Sequence, residues 1–305
     1  MESKKLCYLC FDLGGSYTKY GIITNNGRVL YFDQYQTGEI HSPESLISRF
    51  VEIYNMQKAN YSIKGIGIST HGVVDMKRGC ISYGSNYVKS LVNYPLVSAL
   101  TALTHLPVVM ENDVKAAALS ELAFGKNGFK DYIFITLGTS IGGALILNGQ
   151  LYRGQNNAAG EVGYIITKLN EENKNSLIKG AWESYASAKA LLKLYCDAVH
   201  NDKATYLMFK QQLAKADDLA EKTLNAYLNQ LVPGLASLTH VLAPQAIIIG
   251  GAISEDKALI KRVEVSFQSY VLDIYRQTKI LPARFGNKSG IIGIVCLLNK
   301  NQLNC

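Results

Sequence analysis

Apolar positions along this chain keep switching between a continuous or alternating rhythm and a helical one. Leu6 to Phe11 is an unbroken apolar run of the kind that fills a buried strand. It ends in Asp12-Leu13-Gly14-Gly15-Ser16-Tyr17-Thr18-Lys19, where glycines and hydroxyls replace the apolar residues. Tyr20 to Thr24 reads as a returning strand, Asn25-Asn26-Gly27 as a turn, and Val29 to Tyr35 as a third strand. Ser42-Pro43-Glu44 then has the form of a helix start, with Ser as the cap, Pro at the first position and an acid in the first turn. Leu46, Ile47, Phe50, Val51 and Tyr54 follow at helical spacing. Ile63 to Ser69 is predicted as a strand, Thr70 to Asp75 as a loop and Asn93 to Leu103 as a short helix. Val108 to Met110 is predicted as a strand running into Glu111-Asn112-Asp113, and Val114 to Phe124 as an Ala- and Leu-rich helix. This order predicts an α/β protein.

The second half opens as the first does. Tyr132 to Leu137 is a strand pattern, Gly138-Thr139-Ser140-Ile141-Gly142-Gly143 a glycine-hydroxyl turn, and Ala144 to Leu147 a returning strand. Val162 to Thr167 is predicted as a strand, Trp182 to Val199 as one helix and Asp202 to Gln212 as another. A long helix follows Asp217-Asp218 to about Val241, with Pro233 expected to kink or interrupt it. Ala246 to Ile249 is a strand pattern ending in Gly250-Gly251, and Glu255 to Tyr275 is predicted helical. Lys279 to Leu281 and Arg284-Phe285 look strand-like, and Gly290 to Asn299 reads as a last apolar helix.

Composition narrows the class. The 305 residues are 48% hydrophobic and 18% charged, which suits substantial cores. No apolar run is long enough to cross a bilayer and no leader is recognisable, so a cytoplasmic protein with no membrane partner is expected. The net charge of +7 is spread along the chain without a basic run, which argues against a nucleic-acid partner. Of six cysteines, Cys7 and Cys10 form the one Cys-x-x-Cys, but strand alternation sends them to opposite faces and no His stands nearby; all six are read as thiols in a reducing compartment.

Taken singly, the Gly138 turn is as compatible with an ordinary hairpin as with an anion cradle. Two such turns in one chain favour the cradle, holding a polyphosphate from two sides through backbone N–H groups. Gly14, Gly15, Ser16, Thr18 and Lys19 belong to the first turn, and Gly138, Thr139, Ser140 and Gly142 to the second. Asp12 suits Mg²⁺, directly or through water. Gly250 and Gly251 would let a flat base lie against backbone. Phosphoryl transfer also needs a group that orients the nucleophile, and Asp113, at a strand end and helix start, suits the general base. Asn86, Asn112, Glu161 and Glu183 offer the bidentate hydrogen bonding that a polyol needs. Gly125-Lys126 lacks the Ser or Thr of a Walker A loop, and no Gly-x-Gly-x-x-Gly opens a helix after the first strand.

The ordered set resembles the ROK (repressor, open reading frame, kinase) sugar kinases of the actin-like ATPase superfamily. Asp12 to Lys19 looks like that family's first phosphate loop, Glu111-Asn112-Asp113 its catalytic segment and Leu137 to Gly143 its second phosphate loop. Leu151-Tyr152-Arg153-Gly154 through Ala159-Gly160-Glu161-Val162-Gly163 resembles its signature, and Ile249 to Ile253 its adenosine loop. The resemblance implies a two-domain actin-like ATPase (ribonuclease H-like) fold with a ligand cleft between domains, ATP and Mg²⁺ as cofactors, and a homodimer. A division into 1–113 and 114–289 is expected, with helix 290–305 packing back on the first domain. It makes Asp113 the catalytic base, and Gly72, Asn86, Asn112, Glu161, Tyr164 and Glu183 the sugar-binding residues.

Departures from the pattern sharpen the expectation. Tyr164 stands where most relatives have His, and Gly163 to Glu183 contains neither Cys nor His, so no zinc is expected. His71 replaces a common Pro. This zinc-less form is similar to the family's β-glucoside kinases, which phosphorylate O6 of disaccharides such as cellobiose. Glucose and N-acetylmannosamine are the alternative acceptors. From other classes, a sugar-responsive repressor would need a DNA-binding module, for which the eleven residues before Asp12 are too few, and a non-catalytic sugar-binding protein would not need Asp113 with both phosphate loops.

Overall fold

In the computed structural model, which describes residues 6–39, 42–84, 90–169 and 178–303, two sheets repeat one plan. In the first, β1 (Leu6–Leu13), β2 (Tyr17–Thr24) and β3 (Val29–Gln36) form an antiparallel meander. β4 (Ser62–Thr70) joins the other side of β1 in parallel, and β7 (Val108–Asn112) joins β4, giving the order β3-β2-β1-β4-β7. In the second sheet β8 (Tyr132–Leu137) pairs antiparallel with β9 (Ile141–Leu147), and β11 (Ala246–Gly250) and β12 (Lys279–Pro282) add in parallel. With β10 (Gln150–Tyr152) the order is β10-β9-β8-β11-β12. The duplication visible in the sequence is therefore one of topology as well: a hairpin with a glycine-hydroxyl tip, followed by two parallel strands.

The chain divides into two units. The first runs to Gly128 and takes in Leu151–Ala159 and the chain from Asn287; the second holds Phe129–Gln150 and Gly160–Gly286. Helix α3 (Asp113–Phe124) thus lies with the first unit, past the expected division at residue 113. The reason is its packing: α9 (Ser289–Gly293) crosses it so closely that Gly293 rests on the Ala116 carbonyl. α10 (Val295–Leu303) follows, and Asn299 accepts from the Tyr8 hydroxyl at 2.9 Å. The core of this unit joins Leu9, Phe11, Ile66, Ile68 and Met110 of the sheet to Leu46, Phe50 and Ile53 of α1 (Pro43–Gln57) and Leu100 of α2 (Leu96–Thr104). Phe11 and Phe50 stack with ring centroids 3.8 Å apart.

The second unit's core centres on Trp182, which is wholly buried against α7 (Asp218–Leu242). Fully burying each large apolar side chain there contributes about 1.5–3 kcal/mol. Helix α7 passes through Pro233 without interruption. Trp182 donates its indole N–H to Gln230 O at 3.0 Å, and Gly234 closes on the ring so tightly that a Cβ would come within 2.2 Å of it. That packing outweighs the backbone bond that Pro233 removes.

Other predicted elements differ from the structure. Val162 to Thr167 is not a strand: Val162–Tyr164 forms a 3₁₀ turn, and a single bridge pairs Ile166 with Ala181. Trp182 to Val199 is two helices, α4 (Glu183–Ala186) and α5 (Ala188–Ala198), because extended Ser187 starts a new helix and accepts from Ala190 N. Residues 202–212 contribute α6 (Tyr206–Ala214). The stretch from Glu255 to Tyr275 is helical only over α8 (Lys257–Phe267), which Asp256 caps, and a 3₁₀ turn at Asp273–Tyr275. Arg284-Phe285 lies beyond the end of β12. The loop after Thr70 holds a small hairpin of β5 (Val73–Asp75) and β6 (Cys80–Tyr83). No helix among the described residues is long and apolar enough to cross a membrane.

Candidate functional site

Strand register in the first unit lines up its polar side chains. Asp12 on β1 pairs with Ser69 on β4, and Ser69 with Glu111 on β7, so three polar residues form one row at the carboxyl ends of parallel strands. The next row is Leu13, Thr70 and Asn112. Ser69 donates its hydroxyl to Asp12 Oδ1 at 2.8 Å, and Lys19 Nζ lies 3.6 Å from Asp12 Oδ2. Gly290 abuts this pair: a Cβ there would sit 2.7 Å from Ser69 Oγ and 2.9 Å from Asp12 Oδ1. The site therefore holds one oriented carboxylate with a hydroxyl and an ammonium beside it. One such carboxylate fits Mg²⁺, which keeps its waters and takes its remaining ligands from phosphates. The tip of the β1–β2 hairpin leaves Gly15 and Ser16 exposed and Gly14 half-buried, accessible to an anion.

Thr18 follows the tip, as the second residue of β2. It is fully buried, with its Oγ1 2.9 Å from Thr37 Oγ1. Strand alternation after the turn sends its hydroxyl inward, away from the tip.

Asp113 is the first residue of α3, and the cap is its predecessor. Asn112 Oδ1 accepts from the N–H groups of Val114 and Lys115 at 3.0 and 3.1 Å, and Asn112 Nδ2 donates to Gly72 O at 3.1 Å. Asn112 and Gly72 are thus brought together, with the Asn112 side-chain oxygen engaged in capping and one amide hydrogen left for a ligand. Asp113 Oδ1 accepts from Val114 N at 2.9 Å. Burial, then the charge of Asp12, push the Asp113 carboxyl above its ordinary value, while His71 and the backbone N–H groups of Val114 and Asp113 pull the other way. A raised carboxyl at a helix start is suited to accept a proton from a hydroxyl. His71 itself holds Leu13 O through Nδ1 at 3.3 Å. Asn86 lies outside the described residues.

The second unit carries the other half of the predicted residues. Leu137 and Ile141 close the β8–β9 hairpin, and Gly138 N donates to Ser140 O at 3.0 Å across the tip. Thr139 and Ser140 are exposed there, Gly142 pairs with Thr136, and Gly138 O accepts from Lys189 N in the first turn of α5. Gly250 ends β11 beside Thr136. Gly251 adopts φ +91° and lies on Leu137 O, where a Cβ would come within 2.3 Å, so the two loops at the carboxyl ends of β8 and β11 touch through backbone.

Glu183 is placed by backbone pairing. Thr167 N donates to Gly180 O at 3.0 Å and Trp182 N to Ile165 O at 2.8 Å, closing the base of the intervening loop. Glu183 then sits beside Gly163, its Oε2 3.3 Å from where a Cβ on that glycine would be. Glu161 is exposed, and Tyr164 and Glu183 are half-buried. Lys168 Nζ lies 4.4 Å from the centre of the Tyr185 ring.

Ser69, Gly290, Arg153 and Asn157 were not legible as site residues. Ser69 and Gly290 act only through the register and the close approach of α9. Arg153 and Asn157 lie within the predicted signature, but nothing in their spacing indicates that they meet Glu111, which they do. Among the described residues no group of three or more His, Cys, Asp or Glu is arranged to hold a metal ion.

Known proteins resemble this chain over nearly its whole length. The model of the ROK family matches residues 8–301. A glucokinase of Halalkalibacterium halodurans is 28% identical over 94% of this chain and 93% of its own length. A β-glucoside kinase of Klebsiella pneumoniae is 28% identical over 95% of both. The crystal structure of a ROK family glucokinase from Streptomyces griseus, in complex with glucose and AMPPNP, superposes with a TM-score of 0.82 at 26% identity, covering 95% of this chain and 98% of that one.

Proposed function

This chain belongs to the ROK family and has the two-domain actin-like ATPase fold of its structural neighbours, and from that premise we propose that it phosphorylates O6 of a hexose unit with ATP, the acceptor being a β-glucoside such as cellobiose. The coarser statement, an ATP-dependent sugar kinase, rests on relatives named glucokinase and β-glucoside kinase that align over nearly the whole chain. The observation that carries the chemistry is Asp113: a carboxyl at a helix start, raised by burial and by Asp12, with Asp12 and Ser69 in the same strand-end cluster.

In this reading Asp113 takes the proton of the acceptor hydroxyl, a role worth about 10²–10⁴-fold. Asp12 holds Mg²⁺, directly or through water; the ion would neutralise charge on the transferring phosphoryl group. Gly14, Gly15, Ser16 and Lys19 contact the phosphates, as do Gly138, Thr139, Ser140 and Gly142. Gly250 and Gly251 carry the adenosine. Gly72, Asn112, Glu161, Tyr164 and Glu183, with Asn86, bind the sugar. Tyr164 is the residue that favours a β-glucoside: an aromatic ring presents a stacking face to a second sugar ring, in place of the imidazole donor common in the family. The protein is proposed to work in the cytoplasm as a homodimer, without zinc.

A coupled assay with ATP-Mg²⁺ across cellobiose, other β-glucosides, glucose and N-acetylmannosamine tests this. Turnover on cellobiose with product phosphorylated at O6 is the expected result. A preference for glucose or N-acetylmannosamine would overturn the acceptor. Sugar binding without turnover on any acceptor would overturn the enzyme in favour of a regulator or a sugar-binding protein.

A further inference from the structure

Immediately before the proposed base lies a buried ionic cluster that the reading above does not use. Glu111 is wholly buried at the end of β7. Its Oε1 accepts from the backbone N–H of Asn112 at 2.9 Å and from Asn157 Nδ2 at 3.0 Å. Its Oε2 accepts from Arg153 Nη1. The same Arg153 nitrogen donates to Asn157 Oδ1 at 2.9 Å, and Asn157 Nδ2 donates to Val74 O at 3.1 Å. Lys115, buried in the first turn of α3, donates to Asn157 O. Both Asn157 amide hydrogens and its side-chain oxygen are engaged.

The geometry of the loop shows that this cluster holds it against a conformational cost. Asn156 and Asn157 are consecutive non-glycine residues at φ +54° and +60°, a left-handed conformation that L residues rarely adopt. The loop is Leu151–Ala159, the short return of the chain into the first unit. It contacts β7 and α3, the two elements that meet at Asp113, and also β5 through Val74 O. A charge as buried as Glu111 is stable only when paired and fully hydrogen-bonded, and here two of its three partners come from that loop.

We propose that Arg153 and Asn157 are positioning residues for Asp113: by fixing the Glu111 carboxylate on the Asn112 N–H, they set the angle at which β7 hands over to α3 and so the aim of the base. This rests on Asp113 being the base. Neither residue touches the reacting atoms, so the effect falls on turnover and on the local backbone rather than on ligand affinity.

The test uses the full chain and its best sugar acceptor, with Arg153→Met, Asn157→Gly and Arg153→Lys. Glycine at 157 keeps the left-handed backbone and removes only the amide. Arg153→Met and Asn157→Gly are expected to lower kcat about tenfold or more, with KM for ATP and sugar changed less than about twofold. Binding of a non-hydrolysable ATP analogue stays at one per chain. Arg153→Lys, which retains a donor and a charge, recovers most of the lost turnover. Hydrogen exchange of the Asn112 amide accelerates about tenfold in the first two variants, while strand amides such as that of Ile68 keep their protection. Wild-type turnover in both variants, or a loss of analogue binding that accounts for all the lost turnover, would overturn the proposal. If the wild-type chain phosphorylates no sugar, the functional reading fails instead, and unchanged Asn112 exchange then overturns the positioning role on its own.

Discussion

Ser69 donates its hydroxyl to Asp12 Oδ1 at 2.8 Å from the neighbouring parallel strand, across 57 positions of sequence. The bond fixes one carboxylate oxygen and leaves the other facing Lys19. A hydrogen bond to a charged group contributes about 1.5–3 kcal/mol. Ser69→Ala should therefore weaken Mg²⁺ binding, raising the Mg²⁺ concentration for half-maximal turnover about tenfold, while the acceptor KM stays near wild type. Metal titration of initial rates checks this.

Asp113→Asn separates stability from activity. Because burial and Asp12 hold the folded carboxyl above its unfolded value near 3.8, its ionisation opposes folding. That cost appears as pH rises from the unfolded value through the raised folded one, and it stays in full above. Asparagine removes it and keeps the bond from Val114 N. The variant should melt at a higher temperature than wild type at pH 7, the difference shrinking toward zero below pH 3.8, and its phosphoryl transfer should fall by about 10²–10⁴-fold. Thermal melts across pH, with rate measurements, would show otherwise if the two proteins melt alike at neutral pH.

Thr139 stands exposed at the β8–β9 tip. Replacing it by Ala should raise KM for ATP about tenfold, the lower end of the 1.5–3 kcal/mol of a bond to a charged phosphate. Sugar KM and melting temperature should not move. An equal change in both Michaelis constants would count against its place in the phosphate loop.

Gly234→Ala tests the packing that carries α7 past Pro233. A methyl group there would overlap the Trp182 ring, and overpacking of this kind costs typically about 1–3 kcal/mol. Denaturant unfolding should show that loss together with a shifted Trp fluorescence, which reports on one site because the chain has a single Trp.

Elemental analysis of the purified protein should find no stoichiometric zinc. One zinc per chain would overturn the expectation drawn from the Cys- and His-free segment between Gly163 and Glu183.

The sequence by itself determined the α/β order, the repeated strand-turn-strand openings and the positions of Asp12, Asp113 and the two glycine-hydroxyl tips. These are local: hydrophobic period, turn chemistry and capping residues act within a few positions of one another. Only the tertiary structure decided that Asp12, Ser69 and Glu111 share a row, since parallel register joins residues far apart in sequence. It also decided that Thr18 turns inward, that Asn112 rather than Asp113 caps α3, and that α7 continues through a proline. Each of those depends on what packs against the segment, and a side chain's own type does not specify its neighbour. Arg153 and Asn157 are the clearest case: the sequence presents two polar residues in a loop, and the fold closes them on a buried carboxylate two positions before Asp113.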